Sequence, residues 1–548
     1  MNKKQRNTSI KDLESYFMNN LGIKSKEEVN NWYIKAMTNQ YRIDKLSETA
    51  EWLFMQDRNR PIVICGDYDA DGFTSISILK LTLQRLGFTN VIYDIPYRFT
   101  EGFGINLRMI STIPNDAIVI TCDNGVAQVS VINELINRNN DVIIIDHHEP
   151  HVSESGDIVL PNANFIIDPN AIANSADFNG YCGAGLCYRF SQALLSYGNN
   201  IDDDKIFLKK MCSIAAIGTI ADLMNIREEN YYIIRQGLTY LKDQSTTTVG
   251  AYALISAFDL NNNLTSTDIA FSIAPALNSA SRIDENNAKL AVDLLTWEDD
   301  YPTALYNANI LLELNKERKA LKKEGLSKVN KILEEHPELI QVPLVLYVPN
   351  LKEGIVGIIA GDLASRFKVP CFVLTDAIMP GFIKGSARTY GNYDIKANLD
   401  NIQNLLYIYG GHKEAAGLTL TKENFDNLRN SLIQNVDNYE VDETLYYDIE
   451  LDANDIPAFL KEMSMYEPFG QGNPKPICKV NHFICDEPFF KNSLAKFKCK
   501  NVRNLNAVNF DSLGNEILAD ESHTFYGTLS YNYFRNNVSC QIEYIDFD

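Results

Sequence analysis

Asp67, Asp69 and Asp71 stand at alternate positions in Val63-Ile64-Cys65-Gly66-Asp67-Tyr68-Asp69-Ala70-Asp71-Gly72, directly behind an apolar run. Carboxylates held that close repel one another unless protons or cations neutralise them, so the spacing asks for a divalent metal. A turn rich in Asp and Gly would use the same residues. Repetition along the chain decides between the two readings. The run Ala117 to Cys122 ends in Asp123-Asn124-Gly125, and Val142 to Ile145 runs into Asp146-His147-His148, with Glu149 and His151 beyond. Three of the seven histidines lie between 147 and 151. Imidazole beside carboxylates suits manganese, zinc or iron better than a purely oxygen shell would, and manganese accepts both ligand types. A further acid, Asp222, closes a small-residue apolar stretch that begins at Met211.

The elements that hold these acids follow from hydropathy. Each apolar run reads as a buried parallel strand, and the carboxyl ends of such strands face the ligand crevice of an open α/β sheet. On extended chain, Asp67, Asp69 and Asp71 would point the same way. A helix is expected from Thr74 to Leu86 and a strand from Val91 to Ile95, which starts a βαβ rhythm. Residues 1–58 read as a helical lead-in. Pro302 to His336 reads as one charged helix of roughly 50 Å, whose charge run is a solvated face or the lining of a groove for nucleic acid. A second α/β unit follows, with strands at Val342 to Val348 and Pro370 to Thr375 around a helix from Val356 to Phe367.

Other residues suit anions. Arg98 sits in the irregular loop Pro96 to Gly104, where it could receive a phosphate or simply decorate the surface. Gly410-Gly411-His412 at a helix start would offer backbone N–H groups to an anion. Among the short strands after residue 440, Lys496, Lys498 and Lys500 share a face, as a strand-binding surface or as protection of a sheet edge. Ser191 and Cys187 lack a nearby base motif, which argues against a covalent nucleophile.

The chain has 548 residues, 45% hydrophobic and 22% charged, with a net charge of -21. That length implies several domains. The acidity argues against indiscriminate coating of nucleic acid, so any such contact must be a local basic groove. Ten cysteines without a C-x-x-C pair fit a reducing compartment. No apolar run approaches the length needed to cross a bilayer, and no signal peptide is evident, so a cytoplasmic location is expected.

Asp67-Tyr68-Asp69-Ala70-Asp71-Gly72, Asp123-Asn124-Gly125, Asp146-His147-His148 and Asp222 resemble the four motifs of the DHH phosphoesterase family. Within it the chain resembles the RecJ single-strand-specific exonucleases over about residues 60–548. Gly410 to Gly417 is similar to the signature of the DHH-associated domain, and Tyr466 to Pro476 to the entry into an OB-fold.

The resemblance implies an α/β fold: a DHH parallel-sheet catalytic domain (59–300), a connecting helix (301–338), a DHH-associated α/β domain (339–440) and a β-barrel OB-fold (441–548). It implies two divalent cations, Mn²⁺ or Mg²⁺, on Asp69, Asp71, Asp123, His147 and Asp222, with Asp123 bridging. Asp67 would stand behind the ligands and His148 would meet substrate phosphate. Arg98, Arg282, Ser386, Arg388, Gly411 and His412 would contact substrate. Relatives more often have glycine where Ser281 precedes Arg282.

The activity implied is 5′-to-3′ hydrolysis of single-stranded DNA to mononucleotides, in repair or recombination. The partners implied are a strand with a 5′ phosphate and a single-strand-binding protein or helicase, with no membrane. The alternatives are a phosphodiesterase of short oligonucleotides or cyclic dinucleotides, and an inactive DNA-binding scaffold.

Overall fold

In the computed structural model the three apolar runs lie side by side in a five-stranded, all-parallel sheet. The strand order is Val91–Asp94, Ile62–Cys65, Ile118–Cys122, Asp141–Ile145, Phe165–Ile167. The structure describes every residue except 1, 154, 199–200, 435, 437–438, 492–493, 511–516, 518 and 535–536. Counted by chain position the order is 2-1-3-4-5, which reverses direction between Ile62–Cys65 and Ile118–Cys122. A crevice opens beyond the carboxyl ends at such a reversal, and both acid motifs sit there.

Both faces of this sheet are covered. Ile62, Ile64, Ile118, Ile120, Ile143 and Ile145 face one core, and Val63, Cys65, Val119, Val142 and Ile144 face another. That explains why the strands are continuously apolar and not alternating.

The helix after the acid motif begins earlier than its apolar periodicity suggests, at Ala70, and runs to Arg85. The strand stops at Cys65. Asp67, Asp69 and Asp71 are therefore not alternate residues of extended chain. Asp69 is the helix N-cap, with Oδ1 accepting from the N–H groups of Asp71 (3.1 Å) and Gly72 (3.2 Å), and Asp71 lies inside the first turn. A capping carboxylate satisfies backbone donors that have no partner within the helix, so the helix start outweighs strand extension. Gly72 is required here, because a Cβ would run into the Asp67 carbonyl.

The long helix spans Tyr301–Glu335, with Pro302 in its first turn and Asp300 accepting from Thr303 N at 2.8 Å. Ala304, Ala308 and Leu311 are buried in the core that includes the parallel sheet, while Val329 and Leu333 are buried in the next unit. One rigid rod is thus rooted in both. The second sheet runs Ile408–Gly411, Ala415–Thr421, Phe382–Arg388, Cys371–Asp376, Leu344–Tyr347, and only its last pair is parallel. Gly410 and Gly411 therefore end a strand, and His412 lies in a hairpin turn where its N–H donates to Ala415 O at 2.9 Å. The expected helix start is absent at this point, because the apolar residues that follow alternate and pair as strand.

The last sheet closes on itself, since Cys478–Lys491 pairs with Ile449–Asp452, Leu494–Cys499 and Ser522–Phe534. Leu494–Cys499 is flanked on both sides, so Lys496 and Lys498 do not protect an edge. Lys498 pairs with Glu487 and Lys500 with Asp520.

The N-terminal segment is helical over Leu13–Leu21, Lys26–Met37 and Leu46–Phe54, but it opens with a strand. Lys3–Gln5 pairs in parallel with Leu445–Tyr447, and Phe17 stacks on Tyr466 at 4.2 Å. This lead-in shares the barrel's core through Leu13, Tyr16 and Phe17. Among the described residues no helix is long and apolar enough to cross a membrane.

Candidate active site

The acids meet because separate elements end at one place, and backbone N–H groups hold the carboxylates of Asp67, Asp69, Asp71 and Asp146. Asp71 is gripped by the start of helix Gly183–Leu195: Gly183 N donates to Oδ2 at 2.7 Å and Ala184 N to Oδ1 at 2.9 Å. A helix N-terminus favours an anion there. Asp67 Oδ1 accepts from Gly104 N at 3.3 Å. Asp123 follows its strand with φ 61°, a left-handed turn that swings its side chain into the crevice. Asn124 locks that turn, donating to Cys65 O at 3.1 Å and Cys122 O at 2.9 Å. Gly183 lets the helix come close, since a Cβ there would lie 2.7 Å from Asp123 Cβ.

Asp146 accepts from Val126 N at 3.0 Å, His147 N at 2.8 Å and His148 Nδ1 at 2.8 Å. This orients the His148 imidazole and holds the backbone of His147. His147 Nε2 stands 3.1 Å from Asp123 Oδ1, 3.7 Å from Asp222 Oδ2 and 3.8 Å from Asp71 Oδ2. Asp222 follows the helix Ile201–Ala221.

Ligand atoms of Asp67, Asp69 and Asp123 fall within 4.8 Å of one another, as do those of Asp71, His147 and Asp222 and those of Asp123, His147 and His148. Asp123 is shared by groups on either side of it.

Charges in this cluster are uncompensated. Burial, then Asp71 and Asp69, pushes the Asp123 carboxyl well above its ordinary range, and burial followed by Asp69 does the same to Asp67. Burial and Asp71 raise Asp222 to about 8. His147 is lowered by burial and by His148. Against its own burial, the hydrogen bond that His148 donates to Asp146 lifts His148 to about 9, and that pairing, also against burial, holds Asp146 at about 2. Asp222 Oδ2 is buried and accepts no hydrogen bond among the described residues. Carboxylates plus one neutral imidazole, with an orphaned oxygen, fit divalent cations of the Mn²⁺ or Mg²⁺ kind.

Beside the acids lies a group of guanidinium side chains. Arg98 covers the Tyr68 ring at 4.5 Å, and its Nη1 is 3.4 Å from Ser281 Oγ. Arg282 donates from Nη1 to Gly354 O at 3.3 Å. Burial and then Arg98 lower its affinity for a proton, with Arg318 and Arg388 adding to the effect. Arg388 donates to Ser386 Oγ at 2.9 Å and Ala387 O at 2.7 Å. Cations gathered in this way have the chemistry to receive phosphate oxygens.

Helix Ala274–Ile283 joins the two halves of the site. Its Asn278 Oδ1 accepts the Ala70 N–H at 2.9 Å, and its Ser281 and Arg282 reach the guanidinium group.

Sequence reasoning brings Arg98, Arg282, Ser386 and Arg388 toward one region, and the structure places them there with the acids. Gly411 and His412 are exposed on the outermost strand and its turn, two strands from Ser386 and Arg388. Arg318, within the charge run read as a solvated face or a groove lining, turns inward: its Nε and Nη2 donate to the buried Asn315 Oδ1 at 3.1 and 2.9 Å. An asparagine buried in the middle of a charged helix was the signal available for it. Asn278, four residues before Arg282, and the Gly183-Ala184 pair carried no comparable signal.

Family models match three stretches: the DHH family N-terminal domain over residues 61–219, the DHHA1 domain over 343–438 and the RecJ OB domain over 447–546. The chain is 33% identical to the single-stranded-DNA-specific exonuclease RecJ of Bacillus subtilis, over 78% of this chain and 52% of that protein. It therefore spans about half the length of that relative. It is 28% identical to the enzyme of the same name from Escherichia coli, over 74% of this chain and 71% of the other. The crystal structure of RecJ in complex with Mn²⁺ from Thermus thermophilus superposes with a TM-score of 0.75 at 25% identity, covering 92% of this chain and 72% of that one.

Proposed function

Because the chain belongs to the DHH family and carries the DHHA1 and RecJ OB domains behind its catalytic half, we propose that it is a single-stranded-DNA exonuclease. It would hydrolyse phosphodiester bonds from the 5′ end and release mononucleotides. The observation that carries this reading is the contact between the two halves of the site, with Arg98 lying on Tyr68, the residue between Asp67 and Asp69. A terminal phosphate held by the arginines would put the adjoining phosphodiester over the acids, as cleavage from a strand end requires.

In this reading Asp69, Asp71, Asp123, His147 and Asp222 would hold the cations. Bound there, two divalent cations supply Lewis-acid activation of water and neutralise charge on the phosphodiester. The protein's own residues do the rest. Gly183 and Ala184 fix Asp71, Asp146 fixes the His148 imidazole and the backbone of His147, and Asp67 stays behind the ligands against Gly104 N. His148, charged by its bond to Asp146, faces a non-bridging phosphate oxygen. Arg98, Arg282, Arg318, Arg388 and Ser386 grip the 5′ phosphate, and Gly411 and His412 touch the strand further out. The barrel binds the following nucleotides.

The domain division at 59–300, 301–338, 339–440 and 441–548 belongs to the same proposal, as does a cytoplasmic role in repair or recombination. A single-strand-binding protein or helicase would present the strand.

The test is a Mn²⁺-dependent time course on strands labelled at either end, with duplex DNA and a dinucleotide alongside. Immediate mononucleotide release from the 5′ end with duplex spared is expected. Cleavage of the dinucleotide alone would favour a small-substrate phosphodiesterase, and binding without cleavage a scaffold.

A further inference from the structure

We infer that Glu353 is a built-in competitor for substrate phosphate at Lys384, and that this pair sets how tightly the chain grips a strand. The inference rests on the reading of the site as a receptor for single-stranded DNA. In strand Phe382–Arg388 the residues Ile383 and Ala387 are buried in the core, which leaves Lys384, Ser386 and Arg388 together on the other face.

Helix Glu353–Phe367 lies along that face, with positions 353, 357 and 361 one turn apart toward it. A Cβ on Gly357 would sit 3.0 Å from both Arg388 Nη2 and Ser386 Oγ, and one on Gly361 would sit 3.9 Å from Arg388 Cγ. Glycine at 357 thus leaves Ser386 and Arg388 the room they take, while the contact at 361 is of ordinary length. At the third position Glu353 forms an ion pair with Lys384.

Lys384 is about 7 Å from Ser386 along the strand at about 3.3 Å per residue. The pair also adjoins Gly354, whose carbonyl receives Arg282. Lys384 is thus a cation in line with the guanidinium group. The side chains of Lys384 and Glu353 are 35% and 22% exposed, so an incoming phosphate can reach them.

An ion pair open to water adds little to fold stability. Its consequence lies in binding: Glu353, at the first position of its helix, is favoured by the helix dipole and occupies the lysine that a second phosphate would take. A strand must displace a carboxylate to use Lys384, which weakens its hold and lets it advance.

The experiment measures binding of a 5′-phosphorylated single-stranded oligodeoxynucleotide to the full chain, without divalent cations, by fluorescence anisotropy across a salt series. Glu353→Gln is expected to tighten binding roughly three- to tenfold and to steepen the slope of log affinity against log salt by about 0.7, one further phosphate contact on a single strand. Lys384→Ala is expected to weaken binding, and Glu353→Gln added to it should no longer steepen the slope. Thermal unfolding confirms that each variant is folded, and Lys384→Gln repeats the test with a longer side chain.

An unchanged slope in Glu353→Gln, or equal steepening with and without Lys384, would overturn the inference. Failure of the unsubstituted chain to bind the strand at any salt concentration would overturn the functional reading itself, a distinct result.

Discussion

Asn278 Oδ1 accepts the backbone N–H of Ala70 at 2.9 Å, and so ties the helix that carries Arg282 to the helix start that carries Asp69 and Asp71. The bond fixes that helix start from outside the ligand set. Asn278→Ala should lower cleavage by roughly 10- to 100-fold and raise the Mn²⁺ concentration needed for half-maximal rate, as loss of a ligand-orienting group does. Binding of a strand in the absence of metal should be unchanged. A fall in rate with the same Mn²⁺ dependence would mean that Asn278 orients the arginines and not the acids.

Asp123 belongs to two of the metal-competent groups and is fully enclosed among like charges. Asp123→Asn should abolish cleavage. It should also stabilise the metal-free protein, by about 1–3 kcal/mol, because a buried and repelled charge is removed. Thermal unfolding with and without Mn²⁺ checks both halves: the metal-free midpoint should rise and the shift caused by Mn²⁺ should shrink. A lower metal-free midpoint would contradict the repulsion argument.

The same repulsion fixes a pH dependence. Asp222 is raised from 3.8 to about 8, and Asp67 and Asp123 are raised as well. A carboxyl whose folded value lies above its unfolded one favours folding while it is protonated, and that contribution is lost as pH rises through the folded value. The metal-free protein should therefore lose stability between about pH 4 and pH 8, and the stabilisation by Mn²⁺ should grow over that interval. Melting curves at fixed ionic strength measure it. A metal-free midpoint that climbs over this range would refute the account.

The parts legible in the sequence are those set by local pattern. Val63 to Cys65, Ala117 to Cys122 and Val142 to Ile145 are strands because their apolar runs are short and end in acid, and Tyr301–Glu335 is one helix because Pro302 starts it and Pro337 lies just past it. The parts that were not legible depend on distant chain. The N–H groups of Gly183 and Ala184 have no chemical signature, yet they hold Asp71. Gly410-Gly411-His412 fits an anion loop and a hairpin equally well in one dimension, and only pairing of Ala415–Thr421 with Phe382–Arg388 decides. Lys3–Gln5 becomes a strand because Leu445–Tyr447 is there to pair with it.

Gly357 offers a narrow test of the phosphate receptor. A methyl group there would lie 3.0 Å from Arg388 Nη2 and Ser386 Oγ, closer than ordinary packing, and the flexible guanidinium is the group that can yield. Gly357→Ala should displace Arg388 while leaving the helix intact, since alanine favours helix more than glycine does. The KM for a 5′-phosphorylated strand should rise several-fold with kcat changed less, and melting should be unchanged or slightly higher. A fall in kcat alone would show that Arg388 acts on the reacting bond and not on binding.

Arg318 separates the phosphate receptor from general attraction to nucleic acid. Its Nε and Nη2 both donate to Asn315 Oδ1, which also receives Ser279 Oγ at 3.4 Å, so its guanidinium is held in a fixed plane beside the helix that bears Arg282. Lysine keeps the charge but cannot make the forked contact or the same planar approach to a phosphate. Arg318→Lys should then keep the salt dependence of strand binding, because charge is preserved, and lose preference for a 5′ phosphate over a 5′ hydroxyl by roughly tenfold. Competition between the two oligonucleotides at several salt concentrations measures each quantity. If Arg318→Lys retains the preference, the side chain contributes charge alone; if it flattens the salt slope, the substitution has disturbed its neighbours and Asn315→Ala should reproduce the effect.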